Sequence, residues 1–183
     1  QRVDNVDRIA SAVIDKVKFR SDMHIMDFGS GTGLLLERVA PLVRAITAID
    51  ISRSMNEQLE KKRASLKCEL EIVEMDLSGT DLDRSFDGII SSMTMHHVQD
   101  VQSMMSKFYK MLNQGGFIAL ADLETEDGSF HTEDTGVFHF GFDRDEFMSF
   151  ARASGFHKVS TLTANTIHKP HGDFPIFLLT AHK

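Results

Sequence analysis

Residues 27–33 read Asp-Phe-Gly-Ser-Gly-Thr-Gly, three glycines in five positions with a carboxylate just ahead of them. Glycines spaced this way let a backbone turn with positive φ and let a ligand approach the main chain, while a helix that follows offers free N–H groups. A second carboxylate, Asp50, closes the apolar run AITAID 23 residues after Asp27, where an acid can accept hydrogen bonds from a ribose. Together these describe a nucleoside pocket. A dinucleotide site in the same setting wants a further glycine where this chain has Leu34. Asp27, two residues before the first glycine, would repel a pyrophosphate and could hold a cationic or amine-bearing group.

Other residues could take part in chemistry at the same place. His96 and His97 follow the run FDGIISSMTM, and His139 sits in the segment ETEDGSFHTEDTGVFHFGF. All three are candidates for a general base or a substrate contact. Asp122 and Glu124 could touch a substrate, Met93 and Met95 could line an adaptable apolar pocket, and Phe138, Phe140 and Phe142 could wall it. No metal site is expected, because adjacent histidines point apart on most backbones and no Cys or His spacing suits zinc. A triad hydrolase is set aside, since Ser30 lies between glycines of the wrong spacing for a nucleophile elbow.

The elements that must position these residues are legible as periodicities. Val3, Val6, Ile9, Ala10, Val13, Ile14 and Val17 recur at helical spacing and predict an opening amphipathic helix. The strand MHIMDF then runs into the glycines, and LLLERVAPLV predicts a helix that Pro41 disturbs near its end. AITAID reads as a strand buried on both faces. Either Ser52 or Ser54 caps the next helix, the latter with Glu57 as a capping box, and Met55, Leu59 and Leu66 form its inner side. Cys68, Leu70 and Ile72 alternate with Glu69 and Glu71, the pattern of an edge strand with one wet face.

FDGIISS is a fourth strand, followed by a helix with Val101, Met104, Met105, Phe108 and Leu112 on one face. Gly115 and Gly116 are expected to stop that helix before the strand GFIALADL. Strict alternation of this kind predicts an α/β fold, a doubly wound parallel sheet with helices on both faces. Residues 124–142 are too long for a plain connector. Asp143 and Glu146 cap a helix carrying Phe147, Phe150 and Ala151, which Gly155 ends. Two last strands near 159–167 and 174–181 must pair antiparallel across HKPHGD.

Composition narrows the class. A chain of 183 residues is expected to form one domain over residues 1–183. Its 20 basic and 27 acidic residues give a net charge of -7, which repels phosphate backbones and argues against a nucleic-acid partner. The densest basic cluster, Lys61, Lys62 and Arg63, follows Glu57 and Glu60 and reads as a solvated helix face. One cysteine, Cys68, excludes an internal disulfide framework and points to a reducing compartment, with the cytoplasm as the default. No apolar run approaches the ~20 residues of a membrane span, and no signal-peptide pattern opens the chain. Starting at Gln1 without a methionine, the chain reads as a trimmed or partial sequence.

DFGSGTG after the first strand, AIDIS ending the second, EMDLS after the third, FDGIISSMTMHHV at the fourth and LNQGGFIALADL into the fifth occur in one order. With these segments the chain resembles the class I S-adenosylmethionine-dependent methyltransferases, most of all the small-molecule enzymes grouped with the quinone-biosynthesis C-methyltransferases. The resemblance implies a Rossmann-like seven-stranded sheet of order 3-2-1-4-5-7-6 with strand 7 antiparallel, and S-adenosyl-L-methionine as cofactor. It implies that the backbone around Phe28, Gly29, Ser30, Gly31 and Gly33 holds the methionine part, with Asp27 near its amino group. Asp50 would bind the ribose, Ile51 and Met55 would lie beside the adenine, and Met75, Asp76 and Leu77 would frame it, Asp76 accepting from the exocyclic amine. Ser91 or Ser92 would lie near the sulfonium. Relatives often carry a further N-terminal segment that closes over the substrate, and none precedes Gln1 in this sequence.

The implied activity is methyl transfer to a small-molecule acceptor, with oxygen, nitrogen and carbon all open as the acceptor atom. A non-catalytic S-adenosylmethionine-binding module is the alternative, and a nicotinamide-dependent oxidoreductase is a third that Leu34 argues against. The fourth strand ends in SSMT rather than the Pro-Pro and aromatic that hold a flipped base. One cysteine on an edge strand argues against a thiol-based mechanism. Oligomeric state is not legible.

Overall fold

Strands covered by helices on both faces must be apolar along their whole length. The computed structural model, which describes residues 2–183, shows this for β1 (His24–Phe28) and β2 (Ala45–Asp50), in which only the first and the last residue respectively escape burial. With β3 (Glu69–Glu74), β4 (Phe86–Ser92), β5 (Leu112–Leu123), β6 (His157–Lys169) and β7 (Gly172–His182) they form one seven-stranded sheet of order β3-β2-β1-β4-β5-β7-β6. The first five strands in that order are parallel, and β7 runs antiparallel to both β5 and β6. Successive side chains of β1 go to opposite faces, so Ile25 joins one core and Met26 the other.

On the first face, α1 (Arg2–Lys16) and α2 (Leu34–Val39) bring Ile9, Val13, Leu36 and Val39 against Ile25 and Ile46. α3 (Arg53–Glu60) adds the buried Leu59. On the second face, α4 (Val101–Met111) and α5 (Arg144–Ala153) bring Met105, Phe108 and Phe147 against Met26, Ile89 and Phe177. Fully burying such side chains contributes about 1.5–3 kcal/mol each, so both layers hold the sheet firmly. Among the described residues, no helix is long and apolar enough to cross a membrane.

Several local expectations need correction. Val3 is 54% exposed, so the buried stripe of α1 is Ile9, Ala10 and Val13. Ser52 rather than Ser54 is the N-cap of α3, its side chain accepting from the Met55 N–H, and Met55 itself faces outward. Pro41 does disturb its helix, which tightens into a 3-10 turn over Ala40–Leu42. α4 stops at Met111, before the glycines, and β5 begins at Leu112. Gly115 and Gly116 instead occupy an irregular stretch of β5: Leu112 pairs with Phe86 and Phe117 with Gly88, so extra residues bulge between them. Gly115 takes φ +81°, and a Cβ on Gly116 would lie 2.8 Å from the Asn113 carbonyl oxygen.

Four of the five parallel strands, β1, β2, β4 and β5, end side by side at Phe28, Asp50, Ser92 and Leu123. The chain continuing from those four ends forms the crevice at which sheets of this kind bind ligands.

Candidate active site

The glycine turn is locked from two sides. Gly29 and Ser30 donate their N–H groups to the Ile49 carbonyl at 2.8 and 3.1 Å, binding the end of β1 to β2. Gly29 takes φ +71°, and a Cβ there would fall 2.2 Å from Oγ1 of Thr94, so only glycine fits beneath that side chain. Gly31 donates its N–H to Asp50 Oδ2 at 2.8 Å, and Ser52 donates its N–H to Asp50 Oδ1 at 2.9 Å. Two backbone donors therefore fix the plane of the Asp50 carboxylate, and each oxygen keeps a second lone pair for a ligand.

Asp27 is the chemically unsettled residue of the turn. Its side chain is 2% exposed, and among the described residues its Oδ2 has no hydrogen-bond partner. Burial first, and the neighbouring Asp50 charge second, push its pKa up to about 7. A buried unpaired carboxylate oxygen costs about 1–3 kcal/mol or more, and a cationic donor would remove that cost. The residues present thus fit a ligand that carries an ammonium group beside a ribose.

The outer part of the crevice is apolar. Ile51 is 71% exposed beside Asp50, and the Met55 sulfur lies 3.5 Å from where a Cβ on Gly31 would be. Met75 donates its N–H to the Asp50 carbonyl at 3.2 Å, which draws the segment after β3 toward the same pocket. Asp76 is exposed and holds a turn through Oδ1, which accepts from Ser78 N–H at 2.9 Å. Leu77 is buried in the core, so only its backbone can face a ligand, and its carbonyl accepts from Lys107 Nζ at 2.7 Å.

Ser91 is wholly buried, and its hydroxyl donates to the Phe28 carbonyl at 2.8 Å, tying the ends of β4 and β1 together. Ser92 is half-buried and its carbonyl accepts from Thr94 Oγ1 at 3.2 Å. Between them and Thr94, Met93 takes φ +59°, a left-handed conformation that a long side chain rarely adopts. That turn sets Thr94 over Gly29. Sequence reasoning missed Thr94. Met95 does not line a pocket, being fully buried in the second core.

Beyond Met93 the histidines gather. His96 is 1% exposed, and its backbone N–H donates to Asp122 Oδ2 at 3.0 Å while Nδ1 donates to Asp122 Oδ1 at 2.6 Å. Asp122 also accepts from the Leu123 N–H at 2.7 Å and is itself fully buried, so it supports His96 and does not reach a substrate. His96 and His97 do not point apart: they belong to a 3-10 turn, Met95–His97, that brings their ring centroids to 4.3 Å. His131 joins them, its Nε2 3.3 Å from that of His96. Desolvation, with the His96 charge next, holds the pKa of both His97 and His131 below the ordinary imidazole value.

His131 went unremarked in the sequence; the signal for it was the overlong segment 124–142. That segment is held at its base by Thr125 N–H to the Phe142 carbonyl at 3.1 Å and Glu126 N–H to the Phe140 carbonyl at 2.9 Å. His139 is outside the cluster, with Nε2 donating to the Val98 carbonyl at 2.8 Å and its ring 5.0 Å from that of Phe142. It lines a separate groove of about 520 Å³ with Asp100, Gln102 and Phe150. Glu124 accepts from Arg144 Nε at 2.8 Å. Of the expected aromatic walls, Phe142 is buried against Phe147, and Phe138 and Phe140 are exposed.

A doubly wound sheet with a glycine turn, an oriented acid and, among the described residues, an unpaired buried acid is a class of site that fits an amino-acid-bearing nucleoside. Within that class the chain belongs to the methyltransferase domain family, which matches residues 25–116, half of the chain. An uncharacterized methyltransferase of Schizosaccharomyces pombe is 32% identical over 138 residues, 67% of this chain and 49% of that protein. The chain thus spans about half the length of that relative.

Two solved structures share the fold. A SAM-dependent methyltransferase from Methanosarcina mazei matches with a TM-score of 0.76 and 18% identity, over 93% of this chain and 96% of that one. The Haemonchus contortus phosphoethanolamine N-methyltransferase 2, in complex with phosphomonomethylethanolamine and S-adenosylhomocysteine, matches with a TM-score of 0.79 and 13% identity, over 97% of this chain and 53% of that one. The special likeness to quinone-biosynthesis enzymes finds no support among these relatives.

Proposed function

We propose that this protein transfers a methyl group from S-adenosylmethionine to a small-molecule acceptor held beyond the ends of β4 and β5. The observation that carries the reading is the buried Asp27 Oδ2, without a partner among the described residues, one strand end away from an Asp50 already oriented by two N–H groups. The ammonium of a methionine-bearing nucleoside supplies the missing partner, which a pyrophosphate-linked dinucleotide lacks. When bound, S-adenosylmethionine supplies a methyl group already activated as a sulfonium, so the chain's task is to bind, orient and exclude water.

In this assignment Asp50 accepts from the ribose hydroxyls while Gly31 and Ser52 hold its plane. Ile51, Met55 and Met75 cover the adenine, and Asp76 accepts from its exocyclic amine through the carboxylate oxygen not bonded to Ser78. Ser92 and Thr94 stand at the methyl-bearing end, and Ser91 acts through its tie to Phe28. His96 and His97 face the acceptor, His96 held in one tautomer by Asp122, while His139 positions the loop through Val98. The acceptor is a small molecule rather than a nucleic acid, which a net charge of -7 disfavours. A single unpaired Cys68 supports a cytoplasmic setting.

Calorimetry tests the cofactor assignment. S-adenosylmethionine and S-adenosylhomocysteine are expected to bind and NAD is not, and Asp50→Ala is expected to weaken binding by about 1–3 kcal/mol. Preferential binding of NAD, or an Asp50→Ala affinity equal to that of the wild type, would overturn the assignment.

A further inference from the structure

We propose that His96, His97 and His131 form a binding site for one divalent transition-metal ion, of which zinc is the probe. One ring nitrogen of each histidine lies within 4.8 Å of the other two. The His96 and His131 Nε2 atoms are 3.3 Å apart. Two nitrogens bound to one tetrahedral zinc, at about 2.0–2.1 Å each, lie about 3.3 Å from one another, so this pair already has the ligand spacing.

The tautomers suit the task. Asp122 accepts from three N–H groups, the His96 Nδ1–H among them, so in the neutral ring, the form that binds metal, the Nε2 lone pair is bare. The Gly136 carbonyl accepts from His97 Nδ1 at 3.3 Å, which leaves the Nε2 of that ring bare as well. A ring nitrogen held by a carboxylate or carbonyl while the opposite one faces outward is the arrangement by which outer partners orient metal-binding histidines. Asp122 also places a negative charge one layer behind the ion.

The third histidine is held in place by the fold. The Phe130 carbonyl, next to His131, accepts from Lys169 Nζ, and the Ser129 carbonyl accepts from His171 Nε2 at 2.8 Å. The Glu126 carboxylate accepts from the N–H groups of Gly128 and Phe130. Besides His96 and His97, the charged groups facing His131 are Lys169 and Glu126, which are of opposite sign. An all-imidazole set selects zinc, cobalt, nickel or copper over magnesium and calcium. His97 and His131 are only part-buried, which leaves an entry path.

The site lies two residues from Thr94, which closes on Gly29. An ion there puts positive charge on the acceptor side of the crevice and favours an acceptor with an anionic or lone-pair donor atom. That consequence rests on the methyl-transfer reading, whereas ion binding does not.

The test uses the whole chain, stripped with EDTA and titrated with zinc against a chromophoric chelator, then with cobalt followed by visible absorption. One ion per chain is expected, with the visible bands of four-coordinate cobalt. His131→Ala and His97→Ala are each expected to weaken zinc binding about tenfold or more, and a His157→Ala, His182→Ala double variant, at the other end of the β6–β7 pair, is expected to bind as the wild type does. His131→Gln keeps the size of the side chain and guards against a folding artefact; zinc is expected to raise the wild-type melting temperature and not that of this variant. No stoichiometric uptake, or uptake indifferent to His131 and His97, would overturn the proposal and leave the 3.3 Å pair a hydrogen bond. Such a failure would not alter the S-adenosylhomocysteine titration, so it is distinguishable from failure of the cofactor assignment.

Discussion

Lowering the pH from 7.0 to 5.5 is expected to weaken S-adenosylhomocysteine binding about 16-fold. The perturbation acts on Asp27, whose pKa burial and Asp50 push up to about 7. A ligand ammonium pairs with the carboxylate and not with the acid, so affinity follows the ionised fraction. With that pKa the fraction is about one half at pH 7.0 and about 3% at pH 5.5, a ratio of about 16 or about 1.6 kcal/mol. Calorimetry at several pH values in buffers of different ionisation enthalpy reads both the affinity and the proton released on binding. Asp27→Asn is expected to bind weakly at pH 7.0 and to lose the pH dependence. Affinity that stays flat between pH 5.5 and 7.0 in the wild type would refute the pairing. The same shift has a sign for stability: a folded pKa raised above 3.8 contributes stability that is complete below that value and is lost as pH rises through about 7. The ligand-free protein is therefore expected to gain stability from Asp27→Asn at pH 8, the residue being kept for binding at a cost to the fold.

Two further substitutions probe the frame around the site. Gly29→Ala puts a Cβ 2.2 Å from Thr94 Oγ1 at a φ of +71°, and urea denaturation is expected to show a loss of about 1–3 kcal/mol from the backbone strain alone; adding Thr94→Gly relieves the clash and is expected to recover only part of the loss. Asp122→Asn leaves one of three N–H donors facing an amide N–H₂, for an expected cost of about 1–3 kcal/mol, and a melting temperature equal to that of the wild type would remove Asp122 from its supporting role.

The strands were legible because those buried on both faces leave apolar runs, and AITAID and FDGIISS are read directly into β2 and β4; their order in the sheet came from the family resemblance. The glycine turn and Asp50 were legible for a related reason: φ values of +71° and +55° are demands on single residues, and glycine answers them in the sequence. The end of α4 was not, because Gly115 and Gly116 serve equally well to stop a helix or to fill a bulge, and pairing with β4 decides between them. Thr94 touches Gly29 across 65 residues and His131 touches His96 across 35, contacts that no local periodicity records. The view that His96 and His97 diverge assumed an ordinary backbone, whereas a 3-10 turn brings the two rings together. The overlong segment 124–142 was the available sign that something in it had to reach back to the site.

The central claim is methyl transfer, and it is tested most directly by incubating the protein with methyl-labelled S-adenosylmethionine and a fractionated small-metabolite extract. Label is expected to move to a small molecule in at least one fraction, with S-adenosylhomocysteine formed in equal amount and both lost in Asp27→Asn. Tight binding of the cofactor with no label transferred to any fraction would contradict the account.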